Sequence, residues 1–185
     1  MVLPNITDNQ LYRLTSLPYR VGLYVSQSDQ SGGDAANENE LRAIENLIYG
    51  FADGVFGSEL VQNIMAETIK QKDKWSDWDQ HLEQVPDECT DALAILSPYV
   101  DYKESTAYAM RLMDIGEAVA LAFREDIAGQ AGFGRILAYL RYLSYAQKAK
   151  TKKLPVRNFE DFLSISNDER RALVTVAESL SIDYI

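Results

Sequence analysis

Apolar residues recur every three or four positions along most of this chain, and no sustained two-residue alternation bounded by hairpin turns appears. Proline is scarce, with five residues in 185. The pattern therefore predicts an all-α protein. The length suits a single domain over residues 1–185, because a chain of this size can bury roughly 70% of its unfolded surface.

Four helices are predicted in the first part of the chain. A short helix covers Asp8 to Leu14, and a second runs from Leu17 to Ser28. After the loop SGGDAAN, the next covers Glu38 to Asp53 with one apolar stripe. Glycines at positions 54 and 57 end that helix, and the fourth begins near Ser58.

The remaining helices follow a charged segment that should bend the chain. That segment holds Trp75 and Trp78, which at helical spacing either seal a core edge or form a ligand shelf. Pro86 with the acids after it marks a helix start, and this helix should end before Pro98. Three further helices are then predicted, over Asp101–Phe123, Arg135–Lys150 and Asp168–Leu180.

One sequence pattern occurs twice. Glu40-Leu-Arg-Ala-Ile-Glu-Asn-Leu47 shares glutamate, arginine, alanine and two apolar positions with Glu169-Arg-Arg-Ala-Leu-Val-Thr-Val176. In both cases an acidic loop or turn is expected to precede the helix. The duplication predicts two related helix-loop-helix halves.

Charge is distributed very unevenly along the chain. The net charge is −10, yet residues 129–159 contain no acid and carry +7, so the rest carries −17. This balance argues against general affinity for nucleic acid. Within the basic helical insertion, about 129–158, the candidate partner-binding residues are Arg135, Arg141, Lys148, Lys152, Lys153 and Arg157. They suit phosphates, an anionic membrane surface or an acidic protein, unless they form a solvated face that docks on the acidic remainder or in a homodimer.

We expect a cytoplasmic protein that has no disulfide bond and no transmembrane helix. Cys89 is the single cysteine, and the first residues lack the basic and apolar regions of a signal peptide. The most apolar window, Ala107 to Phe123, is interrupted by charges and is too short to cross a bilayer. His81, the single histidine, forms no recognisable nucleophilic motif with Cys89, so a buried thiol and an exposed imidazole are expected.

Acidic residues near the two halves' loops are candidate ligands for a divalent cation such as Ca²⁺, Mg²⁺ or Zn²⁺. Hard cations prefer several oxygen ligands. The candidates are Asp29, Asp34, Glu38 and Glu40, joined by Asp168 and Glu169 from the repeat. An EF-hand is excluded, because its sixth position would hold Asp34 in place of glycine. The alternative is helix capping, by Asn37 with Glu40 and by Ser166 with Glu169.

Four segments resemble the TerB-like family of all-α domains. They are Val21-Gly-Leu-Tyr-Val-Ser-Gln-Ser-Asp29, Asn37-Glu-Asn-Glu-Leu-Arg-Ala-Ile44, Ile115-Gly-Glu-Ala-Val-Ala-Leu-Ala-Phe123 with Asp126, and Ser166 to Ile182. The family is associated with tellurite resistance and stress-response operons, and it is related to the N-terminal domain of a membrane-bound DnaJ-like co-chaperone. The resemblance implies a TerB-like bundle, metal binding and a protein partner in a membrane-associated assembly.

The function expected is therefore binding, without catalysis, in a stress-response module. A structural or scaffold helical dimer is the alternative. A third hypothesis is a hydrolase using carboxylates with a metal, which helical bundles can build from Glu-x-x-His pairs. His81 is preceded three residues earlier by Trp78, so the chain has no such pair and a di-iron site is not expected.

Overall fold

The protein is an all-α bundle in the ranges that its computed structural model describes. These are residues 6–28, 34–53, 58–122, 143, 146–147 and 167–184, with the backbone alone for 34–40, 121–122 and 167. They form α1 (Asp8–Ser26), α2 (Asp34–Ala52), α3 (Glu59–Lys70), α4 (Val85–Leu96), α5 (Tyr102–Ala122) and α6 (Asn167–Ser179). Two 3-10 turns, Lys72–Asp77 and Leu82–Gln84, lie between α3 and α4. The described ranges contain no strand, so the predicted fold class is confirmed.

Helix α1 is the centre of the bundle. Residues 14–23 are all buried, and every other helix named above packs against α1. A helix buried on all sides belongs to the core, whereas a surface helix shows a single apolar stripe. The other helices surround α1, and none in the described ranges is long and apolar enough to span a bilayer.

The prediction of two helices within residues 8–28 is wrong. A single helix continues through Pro18, which has no N–H to donate to the carbonyl four residues earlier. That carbonyl, on Leu14, accepts a hydrogen bond from the Tyr108 hydroxyl at 2.8 Å. A donor from α5 therefore satisfies the acceptor that proline leaves unpaired, and the helix continues.

Helices α1 and α5 run in the same direction. Tyr108 contacts α1 at Leu14, and Gly116 lies beside Val21 and Val25. Residue numbers therefore increase in the same direction along both helices. Parallel packing places the C-terminal ends of α1 and α5 at the same end of the bundle.

Helices α2 and α6 run the opposite way. Ile44 of α2 packs on Gly22 at the level of Gly116, whereas Phe51, further along α2, contacts the earlier α5 residue Arg111. For α6, one depression is lined by Tyr24 and Ser28 of the α1 end together with Asp168 and Thr175. Tyr24 is hydrogen-bonded to Thr175, seven positions after Asp168. The N-terminal ends of α2 and α6 therefore join the C-terminal ends of α1 and α5, and we call this region the junction end.

Most predicted apolar stripes are confirmed where the side chains are described. In α2, Ile44, Leu47 and Phe51 are buried, and in α5 a stripe of Tyr108, Leu112, Ile115 and Val119 is buried. The expected boundaries of α4, between Pro86 and Pro98, are also correct.

The bend predicted after α3 is formed by the two 3-10 turns, and aromatic rings fasten it. Trp75 stacks on Tyr19 with ring centroids 4.5 Å apart, and Trp78 is 1% exposed. Arg20, 5% exposed, donates to the carbonyls of Trp78 (2.6 Å), Gln80 (2.8 Å) and His81 (3.0 Å), and to Glu88 (2.8 Å). The tryptophans therefore seal the core, as the first of the two interpretations expected.

Candidate functional sites at the two ends of the bundle

The junction end carries an open depression lined by both polar and apolar groups. Its lining combines Gln27 and Ser28, just after α1, with Asp168, Arg171 and Thr175 of α6. Burial raises the pKa of Tyr24 in this lining above its usual value, and the hydrogen bond with Thr175 offsets only part of that effect. The depression thus lies between the C-terminal end of α1 and α6, and Leu82 and Glu83 of the second 3-10 turn complete its lining.

Several predicted cation ligands belong to this end. Asp29 follows Ser28 directly in sequence and lies outside the described residues. Asp34 is the first residue of α2, and Glu38 is one turn further on the same face of the helix. Asp168 lines the depression, and its half-exposed carboxylate accepts a hydrogen bond from Arg171 at 2.9 Å.

Glu169 occupies a different position from Asp168. It is 3% exposed and does not line the depression. Glu40 is at the matching place in the repeat, where the backbone alone is described. Of the two acids that begin α6, Glu169 is therefore the one on the core-facing side.

The capping interpretation fails for the first half. An N-cap residue precedes the helix, but α2 begins at Asp34 and Asn37 lies three residues inside it. In the second half, Ser166 is outside the described residues. Capping by Asn37 therefore does not explain the acids that begin α2.

The described side chains alone do not assemble a metal centre. Among them, no group of three or more histidines, cysteines, aspartates or glutamates is placed to hold an ion. The side chains of Asp29, Asp34, Glu38 and Glu40 lie outside that description. Asp168 and Glu169 are the two predicted ligands whose side chains are placed, and they face different surroundings.

A similar close contact occurs in two helix pairs, α1 with α2 and α5 with α6. A Cβ atom on Gly22 would lie 2.8 Å from Ile44 Cγ1, and a Cβ atom on Gly116 would lie 3.1 Å from Leu173 Cδ2. Ile44 and Leu173 are equivalent positions in the repeated sequence pattern. In each pair a glycine therefore allows the two helices to approach closely.

The six predicted partner-binding residues lie outside the described residues. Three positions of the predicted insertion helix are described, at 143, 146 and 147, and all are helical. Leu143 is partly buried and packs against the core, so the basic stretch contacts the bundle at this residue.

A second site, which the sequence did not reveal, lies away from the junction end. It is a cavity of about 460 Å³ between the C-terminal end of α2, the start of α3 and the first half of α5, with residues 143, 146 and 147 along one side. Its apolar lining comes from Phe51, Val61, Ala107, Met110, Leu143 and Ala146. A cavity depends on the spacing of helices distant in sequence, which hydropathy alone does not give.

One ion pair lies in the wall of this cavity. Arg111 Nη1 is 2.8 Å from Asp114 Oδ2, and the two side chains are 15% and 12% exposed. The guanidinium carbon also lies 5.6 Å from the centre of the Phe51 ring. The only signal in the sequence was that these charges interrupt an otherwise apolar helix.

The single cysteine and histidine do not form a catalytic pair. Cys89 is fully buried, and burial raises the pKa of its thiol far above the ordinary value. The His81 side chain is 70% exposed and lies 3.3 Å from Glu83. A buried neutral thiol is a poor nucleophile, so the structural interpretation of both residues is supported.

No protein-family model, no curated protein and no solved structure matches this chain. The resemblance to the TerB-like family rests on the sequence segments that carry it.

Proposed function

We propose that this protein is a non-enzymatic TerB-like module that binds a divalent cation at the junction end. The observation that carries the proposal is the direction of the helices. With α1 parallel to α5, and α2 and α6 antiparallel to both, the acids beside the two related loops belong to one end of the bundle. Asp29, Asp34, Glu38 and Asp168 are the proposed outer ligands, and Glu40 and Glu169 would complete the set.

The paired glycine contacts support the two-half architecture behind this proposal. Exchanging the halves exchanges Gly22 with Gly116 and Ile44 with Leu173, and each glycine contacts the aliphatic residue of its own half. A binding site at the meeting point of two related halves would draw ligands from both. The proposed cation site therefore depends on the proposed TerB-like arrangement of two related halves.

Acids at helix N-termini have a second physical explanation, which the experiment must separate from ion binding. Asp34 and Asp168 lie in first turns, where a negative charge stabilises the helix dipole by roughly 0.3–1 kcal/mol. That effect needs no ion. The two explanations differ because only a cation site gives saturable binding with defined stoichiometry.

The test is calorimetric titration of chelator-treated protein with Ca²⁺, Mg²⁺ and Zn²⁺. We expect saturable binding of at least one ion by the natural sequence, and its loss in the double variant Asp29→Asn/Asp34→Asn. Asp73→Asn/Asp77→Asn is the matched control, because it removes the same charge from two exposed residues of the first 3-10 turn. Absence of saturable binding by the natural sequence would reject the cation site.

We further propose that the basic stretch binds an acidic protein partner, including one in a membrane-associated assembly. The supporting observation is charge segregation, with +7 on residues 129–159 of a chain whose net charge is −10. Reversal of Lys148, Lys152 and Lys153 to glutamate should abolish capture of an acidic partner. Unchanged capture would count against this surface, and a scaffold dimer would then be favoured by self-association in sedimentation experiments.

A further inference from the structure

The cavity between α2, α3 and α5 has the character of a small-molecule site. Its volume of about 460 Å³ is within the usual range for ligand pockets, roughly 300–1,000 Å³. At the ~30 Å³ that each water molecule occupies in the liquid, the space suits a ligand of roughly ten to fifteen non-hydrogen atoms. Its exposed surface is mainly apolar, and its charged residues, Lys103, Arg111 and Asp114, all belong to α5.

An exposed aromatic residue stands at the edge of the same cavity. Tyr102 is 85% exposed, the highest value among the large hydrophobic side chains exposed in the described ranges. It is the first residue of α5 and belongs to the cavity lining. Exposed apolar surface next to an apolar cavity is typical of a site that a ligand completes.

The charged residues of the lining favour an anionic ligand. Lys103 and Arg111 contribute two positive charges, whereas Asp114 contributes one negative charge. Lys103 is exposed beside Tyr102, and Arg111 lies deeper, paired with Asp114 at 2.8 Å. Glu104, the acid next to Lys103, is outside the lining and accepts a hydrogen bond from Ser58 Oγ at 2.6 Å.

The Arg111–Asp114 pair also indicates a role other than stability. Burial of two charges costs solvation free energy that their attraction seldom exceeds, and apolar residues of similar volume are often as stabilising. In this cavity the pair provides polar groups within an apolar wall. Guanidinium groups bind carboxylates particularly well, because their planar N–H donors match the carboxylate geometry.

We propose that this cavity binds a small amphiphilic carboxylate, with its apolar chain along Phe51, Ala107 and Met110 and its carboxylate toward Lys103 and Arg111. The site is independent of the cation site. It lies at the C-terminal end of α2 and the N-terminal half of α5, whereas the junction end holds the opposite ends of both helices.

The test is calorimetric titration with decanoate below its micelle-forming concentration, in a chelating buffer that removes divalent cations. A ligand of twelve non-hydrogen atoms and ordinary efficiency should bind one to one with a Kd between roughly 0.1 and 1 mM. Decanol, with the same chain and no charge, should bind more weakly, and decyltrimethylammonium more weakly still. Equal affinity for decanoate and decanol would overturn carboxylate recognition, and failure of both to bind would overturn the site.

Two cavity variants and one control variant locate the binding on the protein. Ala107→Trp fills the cavity and should abolish decanoate binding, whereas Ala94→Trp, at an exposed position of α4, should not. Lys103→Gln should weaken decanoate by roughly two- to five-fold at low salt and leave decanol unchanged. Circular dichroism establishes that each variant is folded, and retained decanoate binding in folded Ala107→Trp would place the ligand elsewhere and overturn the proposal.

Discussion

The hydroxyl group of Tyr108 stabilises a proline inside the central helix. It is fully buried and donates to the carbonyl oxygen of Leu14, which Pro18 leaves without its usual helical partner. Burial, with a smaller contribution from Cys89, raises the pKa of Tyr108 well above 10.0. The hydroxyl group of Tyr108 therefore links the continuity of α1 to the protonation state of this tyrosine.

Tyr108→Phe removes this donor and keeps the ring. We expect a loss of ~1–2 kcal/mol in the free energy of unfolding near pH 8, because the Leu14 carbonyl stays buried without its donor. Above pH 10 the unfolded natural protein releases the phenolic proton while the folded protein retains it, so stability falls as pH rises. By pH 11 the difference between the two proteins should shrink by about 1.4 kcal/mol.

Urea unfolding at pH 8 and pH 11 measures this difference. Tyr102→Phe is the control, since it makes the same chemical change on a ring that is 85% exposed. A stability difference between Tyr108→Phe and the natural protein that does not change with pH would contradict the proposed coupling.

At the scale of the elements, two glycines set how closely paired helices approach. Gly22 faces Ile44, whose Cγ1, Cδ1 and Cγ2 atoms would all lie within 3.1 Å of an added Cβ. Gly116 has more room, because its nearest neighbours, Leu173 Cδ2 and Val25 Cγ2, would be at 3.1 and 3.3 Å. The same contact is therefore tighter between α1 and α2 than between α5 and α6.

Alanine at these two positions should have unequal effects. Gly22→Ala forces a buried, β-branched side chain to move, so we expect a net destabilisation of ~1–2 kcal/mol after the gain in helix propensity. For Gly116→Ala, the propensity gain of roughly 1 kcal/mol should offset the smaller displacement and leave stability nearly unchanged. Urea unfolding measures the free energy of unfolding of both variants. Equal losses of stability would contradict the tighter packing around Gly22 than around Gly116.

At the scale of the whole molecule, local patterns predicted the elements better than their arrangement. The apolar stripe through Ile44 and Leu47 defined α2 because burial repeats with the helical period. The continuity of α1 through Pro18 was missed, since its compensating donor is ninety positions away on α5. The cavity beside Arg111 was missed for the same reason.

The junction end was partly predictable. Duplication of the Glu40 and Glu169 patterns related the two halves, and the structure places Asp168 in one depression with Ser28. The sequence did not separate outer acids such as Asp168 from Glu169, which is buried. Whether an acid is exposed or buried depends on which face of its helix packs against α1, and tertiary packing determines that face.

If acids from both related segments bind one cation, as we propose, the variant Asp168→Asn should weaken that binding. Calorimetric titration with the ion that the natural protein binds should show an affinity at least about tenfold lower in this variant, because ligand charge strongly tunes such sites. Asp73→Asn, equal in charge and outside the junction end, should bind as the natural protein does. Unchanged affinity in Asp168→Asn would contradict a site shared between the halves.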